Sequence, residues 1–131
     1  MDAQIKEAIR TYVEKISSDN DVLRIYLFGS CVYGVPHERS DIDLMVVIDD
    51  ALHTIRKSST LRKHLRGYRT VPMDMLVNRI SDFEKSQTFP SIQKTIKEKG
   101  LLLYEREQLS TIRRKDFESI FASYGRNAVG A

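Results

Sequence analysis

The sequence predicts an α+β fold, a mixed β-sheet with helices packed mainly on one face. Three observations point there. Four short apolar runs of strand length, 23–28, 44–48, 71–77 and 101–104, are spread along the chain. Stretches with apolar residues at helical spacing lie between them, and the links are short. The chain has 131 residues, the size of one domain that buries a modest core.

The elements follow in order. Ile5, Ala8, Ile9, Tyr12, Val13 and Ile16 form one helical stripe, with Asp2 as its N-cap. Polar residues 17–21 connect it to the first strand, 23–28. Gly29-Ser30 then turns the chain into a brief helical turn over 30–33, ended by Gly34 and Pro36. The next strand carries Asp41 and Asp43 and runs on through 44–48. A helix is expected over 51–66, although its apolar spacing is irregular around Ser58-Ser59-Thr60, a place for a break. In the strand 71–77, Pro72 fits either the first residues or a sheet edge. A short helical turn covers 80–86, and a helix over 90–99 closes on Gly100 as its C-terminal glycine. Residues 101–104 make a final strand. The reading divides the chain into a domain over 1–105 and an extension over 106–131. In the extension, Phe117, Ile120, Phe121 and Tyr124 recur as one amphipathic helical stripe, a surface for docking on the core, for a partner or for self-association.

The polar residues carry the chemistry. Asp41 and Asp43 are two apart on a strand, so they share a face with Cα atoms about 6.6 Å apart, while Ile42, Leu44, Val46 and Ile48 face the core. If Asp74 lies on the neighbouring strand, its carboxylate faces theirs. Each such pair at 6 Å costs about 3 kcal/mol at an effective dielectric near 20. No Lys or Arg in 42–52 offsets this locally. A hard divalent ion does, since Mg²⁺ takes carboxylate oxygens and keeps positions open for phosphates. Two ions about 3.5–4 Å apart clamp the attacking and leaving oxygens of an in-line displacement. Gly29 lets backbone approach a phosphate closely, and Ser30 adds a hydroxyl and the free amides of a new helical turn. The layout is one for holding a metal-bound triphosphate.

Gly29-Ser30, ten residues, then Asp41-Ile42-Asp43 resembles the signature of the DNA polymerase β-like nucleotidyltransferase superfamily. Over about residues 5–104 the chain looks most like its minimal nucleotidyltransferases, the MNT group, whose members are often encoded beside HEPN-domain proteins and act as antitoxins. The resemblance implies the polymerase β-like nucleotidyltransferase fold. It implies that Asp41 and Asp43 bind two Mg²⁺ ions, that Asp74 binds one of them and helps activate the attacking hydroxyl, and that Gly29 and Ser30 hold the nucleotide's phosphates. It further implies ATP as the nucleotide and a tyrosine of a HEPN-domain toxin as the acceptor, making the chain a protein adenylyltransferase. Many antitoxin members carry an Arg before the second glycine of the loop, where this chain reads Cys31-Val32-Tyr33-Gly34. Two alternatives stand beside this reading. One is an antitoxin that binds its partner without catalysis. The other is a transferase acting on a small molecule such as an aminoglycoside, although such enzymes generally carry a further helical domain.

Composition sets the context. The single cysteine, Cys31, excludes an internal disulfide and fits a reducing compartment. No apolar stretch reaches the roughly 20 residues of a membrane helix and no signal-peptide pattern opens the chain, so a cytoplasmic location is expected. Against a net charge of +3, residues 51–69 hold Arg56, Lys57, Arg62, Lys63, Arg66 and Arg69 and no acid. This is either a solvated helix face or a surface for nucleotide phosphates. Only Tyr68 interleaves with these charges, so nucleic acid is not the expected partner. His37, His53 and His64 have no metal-ligand spacing, and His37 and Arg39 precede the acids in a loop.

Overall fold

The computed structural model describes residues 3–33 and 41–106, together with the backbone of 112–114. Its elements are α1 (Ala3–Ser17), β1 (Val22–Phe28), α2 (Ser30–Tyr33), β2 (Ile42–Ile48), α3 (Thr54–His64), β3 (Met73–Arg79), α4 (Ile80–Lys85), a 3-10 turn (Ser86–Thr88), α5 (Ile92–Lys99), β4 (Leu101–Arg106) and β5 (Ile112–Arg114). The strands form one sheet in the order β3-β2-β1-β4-β5. Only β2 and β3 pair in parallel; the other neighbours are antiparallel, so the sheet is mixed. A parallel pair needs a crossover, which α3 supplies.

The stripe of α1 is buried as its spacing requires: Ile5, Ala8, Ile9, Tyr12, Val13 and Ile16 all leave solvent. They join Ile25 and Leu27 of β1, Ile42, Leu44, Val46 and Ile48 of β2, and Leu61 and Leu65 beside α3 in the larger core. A smaller cluster covers the opposite face, where Tyr26, Phe28, Met45 and Val47 meet Phe83 of α4 and Ile96 of α5. The Tyr26 and Phe83 rings stack with centroids 5.4 Å apart. Helices therefore lie mainly, but not only, on one face. The central strand β2 is buried on both faces after Asp43, which explains why 44–48 reads as a continuous apolar run rather than an alternating one.

Several expectations change. Helix α3 is unbroken through Ser58-Ser59-Thr60. The Thr60 hydroxyl donates back to the Arg56 carbonyl at 3.1 Å, and Leu61 and Leu65, one turn apart, are fully buried and anchor this stretch in the core. Gly100 does follow α5, but with φ −75°, so left-handed backbone is not the reason for it. A Cβ there would stand 2.5 Å from the Ile96 carbonyl oxygen and 2.9 Å from that of Leu27; close approach of helix to sheet requires the glycine. The strand at 101–104 extends to Arg106 and is not the last, since β5 pairs with it. Asp2 as N-cap, the turn-ending Gly34 and Pro36, and the aromatic stripe 117–124 lie outside the described residues. Among the described residues no helix is long and apolar enough to cross a membrane.

One buried hydrogen-bond pair fixes the approach to β3. The Tyr12 hydroxyl accepts from the Val71 amide at 2.9 Å and donates to the Val71 carbonyl at 2.5 Å. The next carbonyl, of Pro72, accepts from Ile42 N at 2.9 Å and starts the pairing with β2. Replacing Tyr12 by Phe strands a buried N–H and a buried C=O. The expected loss is about 1–3 kcal/mol, read as a lower urea midpoint at unchanged slope. A Tyr12→Phe protein as stable as the parent would show that Val71 does not depend on this hydroxyl.

Candidate active site

The predicted acids gather at one end of the sheet. Asp43 opens β2 and is the register partner of Phe28 on β1 and of Asp74 on β3. In-register residues on adjacent strands lie on the same face about 4.8 Å apart. Asp43 and Asp74 therefore project together from the face of the smaller cluster, with Met45 next along β2 on that face. Asp41 falls just before the strand rather than on it. Asp41 and Asp74 are exposed, and Asp43 is half-buried.

Gly29 sits against this row. Its φ is +80°, in the left-handed region, and a Cβ there would lie 2.1 Å from Asp43 Oδ2. Both facts demand glycine at this position. The chain then turns into α2, where Val32 and Tyr33 donate to the Gly29 carbonyl at 3.0 and 2.9 Å. The amides of Ser30 and Cys31, first in the turn, have no partner within it. Cys31 is buried in the larger core, with its Sγ 3.5 Å from the Asp41 carbonyl oxygen. It is the small residue that seats the turn, and burial, reinforced by Asp43 and Asp41, pushes its thiol pKa up.

Asp43 is the acid whose ionisation its surroundings disfavour. Burial raises the Asp43 carboxyl above its ordinary value, and the charges of Asp74 and then Asp41 raise it further. Each of the three is an oxygen donor of the kind hard divalent ions take. Among the described residues no three His, Cys, Asp or Glu side chains already stand close enough to cage an ion. The structure joins Asp43 and Asp74 in one row and sets Asp41 at its mouth.

The remaining candidates fall elsewhere. Helix α3 covers the sheet face opposite Asp43 and Asp74. Lys57 is tied to Asp19 and Asp21 at 3.0 and 2.8 Å, near the start of β1 and the end of β2, remote from the acids. His53 caps α3, its Nδ1 accepting from Arg56 N at 3.5 Å, and His64 Nε2 stands 3.7 Å from Asp19. Neither belongs to the site. His37 and Arg39 lie outside the described residues. Sequence reasoning missed the roles of Tyr12 in fixing β3 and of Arg62 and Arg69 at the β3 edge. The helical stripe marks Tyr12 as core but says nothing of its hydroxyl.

Comparison with known proteins places these elements in context. A family described as Polymerase beta, Nucleotidyltransferase matches residues 9–109, which include β1, the Gly29 turn, both acid-bearing strands and β4. No curated protein sequence matches the chain significantly. A crystal structure from Sulfolobus solfataricus, provisionally assigned as a nucleotidyltransferase, superposes with a TM-score of 0.52 at 20% identity, covering 80% of this chain and 84% of that one. At that identity the likeness is one of fold.

The raised Asp43 pKa has a sign that can be measured. A carboxyl whose pKa is higher folded than unfolded weakens the fold as pH rises through that interval, because the folded state then carries a charge it disfavours. Asp43→Asn is therefore expected to leave metal-free stability at neutral pH unchanged or higher, with any gain vanishing in acid below the ordinary carboxyl value of 3.8. Urea titrations of both metal-free proteins from neutral pH into acid read this directly. A loss of about 1–3 kcal/mol at neutral pH would instead mark Asp43 as a satisfied structural carboxylate.

Proposed function

The chain belongs to the polymerase β nucleotidyltransferase family, and we propose that it moves AMP from ATP onto a hydroxyl group of a partner protein. The reading rests above all on one observation: Asp43 and Asp74 stand in register beside a glycine that has no room for a Cβ. A binder acting by contact alone gains nothing from placing like charges side by side on adjacent strands. In this proposal Asp41 and Asp43 hold two Mg²⁺ ions and Asp74 completes the set. When bound, the ions neutralise charge on the triphosphate and on the acids.

The chain's own groups divide the remaining work. Gly29 admits the phosphates, and Ser30 with the leading amides of α2 orients them. Asp74, the exposed member of the in-register pair, is open to an incoming hydroxyl and takes its proton. The acceptor oxygen forms a bond to the α-phosphorus as the bond from that phosphorus to the α–β bridging oxygen breaks, and pyrophosphate departs. Such transfers depend on positioning and charge neutralisation rather than on a strong base, so the reaction requires no His or Lys. By the resemblance stated above, the acceptor is a tyrosine of a HEPN-domain toxin and the protein is its antitoxin. In this proposal a second chain forms the acceptor side of the site.

Thermal melts test the nucleotide and metal requirements together. With Mg²⁺ and ATP at a hundredfold excess over Kd, ligand linkage contributes about 2.7 kcal/mol, a rise of about 10 °C for a domain of this size. Metal with EDTA, or ATP without metal, is expected to do far less. Asp43→Asn and Asp74→Asn are expected to lose both the rise and pyrophosphate release in the presence of acceptor. No rise with any of the four nucleoside triphosphates would reject the proposal.

A further inference from the structure

A groove of about 550 Å³ runs between α3 and the free edge of β3, outside the acid site, with Ile55, Arg62, Lys63, Arg66, Leu76 and Val77 among its lining. Three properties of it stand together. Its apolar part is open to water, with Ile55 73% and Leu76 39% exposed. Its charge is of one sign: among the described residues no acid pairs with Arg62, Lys63 or Arg66, whereas Lys57 on the same helix is neutralised by two. Its wall is a strand edge, since β3 is terminal in the sheet.

An unpaired strand edge is a template for a further strand. Here the edge carbonyls of Met73 and Met75 accept from Arg69 and Arg62 at 3.1 and 3.5 Å. These guanidinium contacts blunt the edge while remaining exchangeable for carboxylates. Basic charge, open apolar side chains and a backbone edge suit a polypeptide better than a polynucleotide. The one aromatic nearby, Tyr68, has its ring face covered by Lys15 Nζ at 4.2 Å from the centroid, so it offers no free stacking platform of the kind single strands use.

We infer that this groove docks an extended acidic segment of the acceptor protein, laid along β3 with apolar side chains on Ile55 and Leu76 and carboxylates against Arg62, Lys63 and Arg66. This rests on the reading that the acceptor is a protein. The geometry links the two sites, because β3 runs from Val77 back to Asp74 in three residues, about 10 Å of strand. A segment held on the edge is delivered beside the carboxylate that receives the hydroxyl proton.

The test uses the intact chain and fluorescein-labelled probes read by anisotropy at low salt: a ten-residue peptide alternating Glu and Ile, its Lys–Ile counterpart, and ten-residue oligo-dT. The acidic peptide is expected to bind saturably, the basic one not, and oligo-dT not to displace it. In Arg62→Glu/Arg66→Glu the acidic peptide is expected to bind at least about tenfold more weakly, as truncated or reversed charges do in complementary interfaces. The melting shift with Mg²⁺ and ATP is expected to be the same in both proteins. Lys63→Glu, a change on an exposed side chain, repeats the measurement if the double variant melts early. The inference is overturned if both peptides bind alike, if the variants bind the acidic peptide as the parent does, or if oligo-dT displaces it. Peptide discrimination with no ATP shift in the parent would reject nucleotidyl transfer while upholding the docking surface.

Discussion

The parallel register that pairs Asp43 with Asp74 is the constraint on which the rest of the structure turns. Two carboxylates on adjacent strands repel, and the strands cannot relax apart, because β2 is locked between neighbours on both sides and buried on both faces beyond Asp43. The apolar run after Asp43 joins the two cores, and the hydrophobic term there outweighs the repulsion at its end. Tyr12 sets where β3 begins, through Val71, and so sets which residue of β3 faces Asp43. A slip of one residue would turn Asp74 into the larger core and bring Met73 or Met75 beside Asp43.

Charge is sorted by position along the sheet. At the end away from the acids, Lys57 satisfies Asp19 and Asp21. Burial works to raise the Asp19 carboxyl, but the Asp21 amide, Lys57 and His64 outweigh it and hold the group low. On the smaller-core face, Arg24 joins Glu84 and Glu105 at 2.8 and 3.4 Å, and Lys97 joins Glu84 at 3.1 Å, tying α4 and α5 to β1 and β4. These carboxylates have cations. Among the described residues Asp43 has none, and its pKa rises where those of Asp19 and Glu84 fall. The contrast separates the acids that hold the fold from those that strain it.

Much of this was legible in the sequence, for physical reasons that differ by element. The stripe of α1 and the core-facing row Ile42, Leu44, Val46 and Ile48 follow from periodicity alone, and both are buried as read. The Gly-Ser turn and its short helix were legible because so few residues tolerate that geometry. What periodicity does not encode is which strands become neighbours. That Asp74 falls opposite Asp43 depends on the crossover through α3, and that β3 is an edge held by Arg62 and Arg69 depends on strand order. The basic residues of α3 illustrate the difference: composition marks them, but only the fold puts Lys57 in a structural ion pair and Arg62, Lys63 and Arg66 along a groove. Gly100 was found for the wrong reason, since sequence cannot tell a left-handed glycine from one that makes room for a neighbour's backbone.

The central claim is that the row of acids beside Gly29 binds a divalent ion together with a nucleotide. Water-proton relaxation enhancement by Mn²⁺, in the presence of an ATP analogue with a non-cleavable α–β bridge, measures this without requiring the acceptor. The account predicts enhancement with the parent chain that is lost in Asp43→Asn and in Asp74→Asn while both variants remain folded. Equal enhancement in parent and variants, or none in the parent, would contradict it.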